Sequence, residues 1–324
     1  MDKILITYNI CGIKRDNTEG YIEFLKAIDR QKFDGEKKVV VSACKPRPRT
    51  IPILKDRFPN FDYIQNDHDY PVNVTFNDAV LKSVGKHGKF NAYVYTACDA
   101  LYTNENQIQG LFNLGKQDDI GMVSAQIDQD SCYAYGLKLG GGRFFIDDEA
   151  ARYEMFKDGK DYAVPPGRAC GAHVNLYTDK LFDFYGRCCP DIFAGYCTES
   201  VFSFLSSALK LKWIVSKDFL INHFPGYDGP SLSTNPEGHK VLNPHTGSYD
   251  HPFRLKTLLP IFFNEYAKSI GLGYEECQNI VNHDPSQFDE NYYCVNDKLK
   301  QYIKENLFLN KDLLDYNKIE SFYV

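Results

Sequence analysis

The chain has 324 residues, of which 43% are hydrophobic, 15% aromatic and 25% charged, with a formal net charge of -6. Such a composition carries enough apolar side chain for a substantial core and excludes a disordered chain. The 43 acidic residues outnumber 37 lysines and arginines, and the basic residues cluster only at Lys45-Pro46-Arg47-Pro48-Arg49, so no broad basic face for a nucleic-acid backbone is expected. In chain order, residues 3 to 8 form an apolar strand, and residues 20 to 30 carry Tyr21, Ile22, Phe24, Leu25 and Ile28 at helical spacing. A second buried strand is expected over 38 to 43, a short helix over 50 to 58, a strand over 61 to 65, a helix over 73 to 84 ending near Gly85, and a strand over 91 to 96. Further strands are expected over 119 to 125, 169 to 177 and 212 to 221, with a hairpin or loop at Gly140-Gly141-Gly142 and a helix over 199 to 211.

Strands alternating with helices imply an α/β fold with a mainly parallel central sheet flanked by helices and joined by right-handed crossovers. After Gly226 the composition changes to proline, glycine and asparagine, and helical patterns return from Phe253. The expected organisation is therefore one α/β domain over residues 1–235 and a loop and mostly helical extension over 236–324. Ten cysteines, none in a CxxC pair, read as free buried thiols rather than as a disulfide framework or a zinc site. The N-terminal segment enters a strand at once and no apolar run approaches the roughly 20 residues that span a bilayer, so a cytoplasmic protein without a transmembrane segment is expected, with peripheral attachment to a membrane left open.

In a sheet of this kind the ligand crevice lies beyond the carboxyl ends of the strands. Those ends read Thr7-Tyr8-Asn9, Ser42-Ala43-Cys44-Lys45, Asn66-Asp67 and Cys98-Asp99. By location, Thr7, Asn9, Lys45 and Asn66 are candidates for contacts to a base, ribose or phosphate. The turn after the first strand, Asn9-Ile10-Cys11-Gly12-Ile13-Lys14-Arg15, has one glycine, which excludes the dinucleotide fingerprint, and no GxxxxGK[ST] run exists for a P-loop.

The run Phe90-Asn91-Ala92-Tyr93-Val94-Tyr95-Thr96-Ala97-Cys98-Asp99 resembles the strand and DxD segment of GT-A glycosyltransferases, especially the inverting family 2. Four further segments resemble that family in the same order. They are Val72-Asn73-Val74-Thr75-Phe76-Asn77-Asp78-Ala79, then Cys170-Gly171-Ala172-His173-Val174-Asn175 as an acceptor-side strand, then Cys197-Thr198-Glu199-Ser200 as an acidic helix start, and Ile221-Asn222-His223-Phe224 after the last strand. The resemblance implies a GT-A (Rossmann-like) fold over roughly residues 3 to 230. It also implies transfer of a sugar, with inversion, from a UDP-sugar or GDP-sugar to a glycan or glycoconjugate acceptor. Asp99 and His223 are the implied ligands of Mn²⁺ or Mg²⁺, Asp99 and Asn77 are implied donor contacts, Glu199 is the implied general base, and Asp191 is its reserve. The sequence departs from the DxD pattern at Ala97, where the first carboxylate is replaced by a methyl group. That loss is what keeps a catalytically inactive nucleotide-sugar or glycan-binding module among the alternatives. A sugar nucleotidyltransferase is a second alternative, although the glycine-rich, basic signature after the first strand is absent. Tyr133, Tyr135, Phe193, Tyr196, Trp213 and Tyr227 are aromatic candidates for stacking on sugar rings.

Overall fold

Strand β1 (Lys3–Ile10) is buried along seven of its eight residues, the pattern of a strand covered on both faces at the centre of a sheet. In the computed structural model, which describes residues 1–10, 18–67, 72–127, 134–137, 143–145, 159–164, 168–170, 173–185, 206, 211–224, 241–242 and 249–250, β1 lies between two parallel neighbours. These are β2 (Glu36–Cys44) and β4 (Ala92–Ala97). Strand β3 (Asp62–Asn66) pairs in parallel with β2 and forms one edge, and its lower burial fits that place. Beyond β4 the sheet continues through β11 (Val174–Thr178), β6 (Ile120–Ile127), β12 (Lys212–His223) and β5 (Ala100–Tyr102), giving the order β3-β2-β1-β4-β11-β6-β12-β5. Strand β9 (Tyr162–Ala163) adds to β12.

The expected mainly parallel sheet is present. The strands β3, β2, β1, β4, β6 and β12 run one way, while β11 is antiparallel to both β4 and β6, and β5 is antiparallel to β12. Helix α1 (Thr18–Asp29) buries Tyr21, Ile22, Phe24, Leu25 and Ile28 against a cluster that includes Ile4, Ile6, Tyr8 and Ile10. Helix α3 (Val72–His87) packs on β1 and β2, and its Phe76 meets the rings of Tyr95 and Tyr177 edge-on or tilted. Helices α2 (Thr50–Arg57), α4 (Gln107–Gly115) and α5 (Asp179–Tyr185) complete the described helices.

Several expectations change. Helix α3 runs through Gly85 to His87, where the His87 imidazole and Lys86 ammonium both reach the Asp62 carboxylate of β3 at 2.5 Å, an anchor that carries the helix past its glycine. The single strand expected over 169 to 177 is two: β10 (Arg168–Cys170), which joins β7 (Ala134–Leu137) and β8 (Arg143–Phe145) in a small sheet, and β11 in the main sheet. The antiparallel pairing of β7 with β8 brackets the three glycines, as a hairpin would. Strand β5 and helix α4 have no counterpart in the sequence reading. Trp213 is core, 1% exposed, with its indole N–H donated to Ser124 Oγ at 2.7 Å, so it offers no face to a sugar. The hydroxyl of Ser124 in turn reaches Asn175 Oδ1 at 2.7 Å, which ties β12, β6 and β11 together inside the sheet. Cys44 and Cys98 are buried thiols outside any disulfide, as expected of them. The expected helix over 199 to 211, the other stacking aromatics apart from the backbone of Tyr135 in β7, and the boundary near 235 lie outside the described residues.

Strand β12 is irregular. Between the pairs Val215↔Ser124 and Leu220↔Gln126 it spends five residues where β6 spends two, so three extra residues are looped into it. The bulge is held from several sides. Lys217 N donates to Asp161 Oδ1 at 2.9 Å, and Phe219 lies over Gly110 of α4 so closely that a Cβ there would meet its ring at 1.9 Å. The Leu220 carbonyl accepts from Thr103 Oγ1 at 2.7 Å and from the Gln107 side-chain amide.

Candidate functional site

Asp99 sits in the turn between β4 and β5, at the carboxyl edge of the sheet. The turn is fixed by its neighbours: Tyr8 OH donates to the Cys98 carbonyl at 2.8 Å, Phe224 N donates to the Asp99 carbonyl at 2.9 Å, and Thr96 and Tyr102 share a hydrogen bond of 2.7 Å beneath it. His223 is the last residue of β12 and pairs in register with Ala100. His173 immediately precedes β11, and its carbonyl accepts from Ala97 N at 2.9 Å. Three separate strands therefore deliver three side chains to one point.

There, His223 Nε2 lies 3.3 Å from Asp99 Oδ2, and His173 Nδ1 lies 3.9 Å from Asp99 Oδ1. The two imidazoles stack with centroids 3.9 Å apart and planes 16° from parallel. One ligand atom from each residue falls within 4.8 Å of the others, the arrangement that could hold a metal ion. Asp99 Oδ1 is buried and has no hydrogen-bond partner among the described residues. A buried carboxylate oxygen without a donor is costly unless a cation takes it up. Burial pushes the Asp99 carboxyl up, but the hydrogen bond with His223 and the attraction of the two imidazoles beside it outweigh that and hold the group below its ordinary value. Burial likewise pushes His173 down to about 4, against an opposing pull from Asp99, so its ring is neutral at pH 7 with a lone pair free for coordination. Because His173 is neutral, the His223 contact is the main support for the ionised Asp99. One carboxylate oxygen and two imidazole nitrogens form a donor set suited to a divalent first-row ion.

The structure thus brings together the two expected ligands, Asp99 and His223, and adds His173, which was expected only as part of an acceptor-side strand. The other candidates distribute along the same edge. Asn9 is the penultimate residue of β1, in register with Ala97 of β4, Lys45 follows β2 with a left-handed φ of 41°, and Asn66 ends β3 with its carbonyl accepting from Lys45 N at 2.8 Å. Thr7 is fully buried and its hydroxyl is used twice within the protein, donating to the Val94 carbonyl at 3.1 Å and accepting from Asn9 Nδ2 at 2.7 Å. Asn77 is 1% exposed within α3. Glu199 and Asp191 lie outside the described residues.

The fold has known counterparts. A mannosyltransferase from Pyrobaculum calidifontis, solved with GDP-Man and Mn²⁺, is similar over 96% of this chain and 71% of its own, at 14% identity and a TM-score of 0.49. GalNAc-T7, solved with UDP, GalNAc and Mn²⁺, is similar over 94% of this chain at 12% identity and a TM-score of 0.56. This chain spans 57% of the GalNAc-T7 chain. No protein-family model matches the sequence, and no curated protein matches it. The likeness to GalNAc-T7 shows the fold: the architecture is of the GT-A type.

Proposed function

We propose that the chain is a divalent-metal-dependent glycosyltransferase that takes a sugar from a nucleoside diphosphate donor. The observation that carries this reading is the convergence of Asp99, His173 and His223 at the carboxyl edge of a GT-A sheet, with Asp99 Oδ1 buried and unpaired among the described residues. GalNAc-T7, similar in fold, was solved with a nucleoside diphosphate, a sugar and Mn²⁺, which supports the same ligand classes here. Mn²⁺ or Mg²⁺ bound at such a site neutralises the charge that develops on a departing diphosphate. Asp99 would supply the oxygen ligand and the two histidines the nitrogen ligands. Asn9, Lys45 and Asn66, along the ends of β1, β2 and β3, would face the donor nucleotide. Thr7 and Asn77, both buried, would act from beneath.

The finer reading is inversion, with Glu199 removing the proton from an acceptor hydroxyl on a glycan or glycoconjugate and Asp191 as the reserve base. A UDP-sugar or GDP-sugar is the proposed donor, and the cytoplasm the proposed location. Incubation with a panel of nucleotide sugars and Mn²⁺ tests the proposal. Slow release of the nucleoside diphosphate from one donor is the expected result, and tight donor binding without release from any of them would leave only a binding module. The Glu199→Gln variant should bind that donor normally and transfer about 100-fold more slowly.

A further inference from the structure

Tyr8 carries a hydroxyl into the core of the sheet. Its ring is fully buried, with the rings of Tyr21 and Phe24 of α1 both centred 6.4 Å away. A phenylalanine would fill that place nearly as well and would bring no polar group to desolvate. What the hydroxyl adds is one donor, given at 2.8 Å to the carbonyl of Cys98.

That carbonyl has a particular place. Cys98 and Asp99 are the residues between β4 and β5, so the Cys98 carbonyl lies in the rigid peptide plane before Asp99 Cα and the Asp99 carbonyl in the plane after it. Holding the first plane sets φ of Asp99, and holding the second sets ψ. Tyr8 holds the first, and the second is held by Phe224 N, the amide next to His223. The two holds are joined by one ring: Phe224 meets Phe24 edge-on at 5.9 Å, and Phe24 is the ring on which Tyr8 leans. With both planes fixed, the Asp99 side chain leaves the backbone in one direction. The ligand atoms of Asp99, His173 and His223 already lie within 4.8 Å of one another, and a metal site of this kind tolerates errors of only about 0.5 Å.

We infer that Tyr8 is a positioning residue for the metal site, its hydroxyl aiming the Asp99 carboxylate at His173 and His223 through the Cys98 carbonyl. The inference rests on the proposed metal-dependent function. Tyr8→Phe removes the donor and keeps the ring. Replacement of Tyr8 by para-fluorophenylalanine refills the space without a donor, and by para-aminophenylalanine with one. Mn²⁺ affinity, measured by electron paramagnetic resonance, should fall about tenfold in Tyr8→Phe and in the fluoro protein, the lower end of what groups behind metal ligands contribute. The amino protein should regain it. The visible d–d bands of Co²⁺ bound in place of Mn²⁺ report the arrangement of the ligands, and they should change in the same two proteins. Tyr63→Phe is the control, since it removes a hydroxyl that donates to the Leu54 and Phe58 carbonyls at 2.8 and 3.1 Å, on β3 at the edge of the sheet. Both readings should stay unchanged there. Unaltered Co²⁺ bands in Tyr8→Phe, or equal Mn²⁺ affinity in the fluoro and amino proteins, overturns the inference and leaves the hydroxyl as an ordinary core hydrogen bond. A matching loss in Tyr63→Phe overturns it as well, because any such bond would then loosen the site. Should Tyr8→Phe not fold, the fluoro and amino proteins decide the matter between them. A wild type that binds neither Mn²⁺ nor Co²⁺ removes the functional reading itself.

Discussion

Asp99 is the residue on which the electrostatics of the site, and the coordination proposed for it, both turn. Its carboxylate stays ionised inside the protein because His223 supports it, and it leaves one oxygen unpaired among the described residues. Asp99→Ala should lower Mn²⁺ affinity by about 100-fold or more, since even outer-shell groups at metal sites commonly contribute 10–100-fold. Titration of the variant by Mn²⁺ electron paramagnetic resonance checks this, and near-native affinity would dissociate the aspartate from any ion. His173 makes a second prediction, about protons. Its folded value of about 4 is below the ordinary histidine value, so between those limits the unfolded chain binds the extra proton and the folded one does not. The stability associated with the neutral ring is complete above the ordinary value and is lost as pH falls toward 4. Thermal melts of metal-free protein should therefore drop across that window, and drop less in His173→Asn. Asp99 acts in the same direction, at pH values below its ordinary range.

At the scale of elements, the bulge in β12 and the glycine under it belong together. Gly110 allows Phe219 to lie on α4, and a methyl group there would collide with the ring. Gly110→Ala gains about 1 kcal/mol of helix propensity but should lose about 1–3 kcal/mol to overpacking. The expected outcome is a net lowering of the urea midpoint, recovered when Phe219→Leu is added. A stabilised single variant would show that the ring moves aside freely. The same elements explain what could be read from sequence. The long apolar runs of β1, β2, β4 and β6 were visible because a strand buried on both faces has no polar interruptions. Strand β5 escaped notice because Ala100–Tyr102 is only three residues and is a strand by virtue of β12, more than a hundred residues away. His173 escaped as a ligand for a topological reason. Ligands are expected after the strands, where parallel neighbours end, but β11 runs backward, so its beginning, not its end, reaches that edge. A histidine just before an apolar run was the available signal, and it needed the strand direction to be interpreted.

Across the whole molecule, the described residues contain no helix long and apolar enough to cross a membrane. What they contain is a nine-stranded sheet carrying helices and a site assembled at one edge. The reversed strand β11 determines when that site can exist. Strands β4 and β6 are complete by residue 127, yet neither meets its shared neighbour until residues 174–178 arrive between them. His223 comes later still, at the end of β12. Contacts of such sequence separation are expected to form late, because the loop-closure entropy must be met before they reward the chain. An ion at Asp99, His173 and His223 would then find no binding site in the folding transition state. Stabilisation absent from that state appears in the unfolding rate alone. Saturating Mn²⁺ should slow unfolding in proportion to its binding while leaving refolding unchanged, a pair of rates that stopped-flow measurement with and without chelator separates. A metal held at those three side chains would be a lock fitted after assembly, and its removal would shorten the lifetime of the native state without hindering its formation.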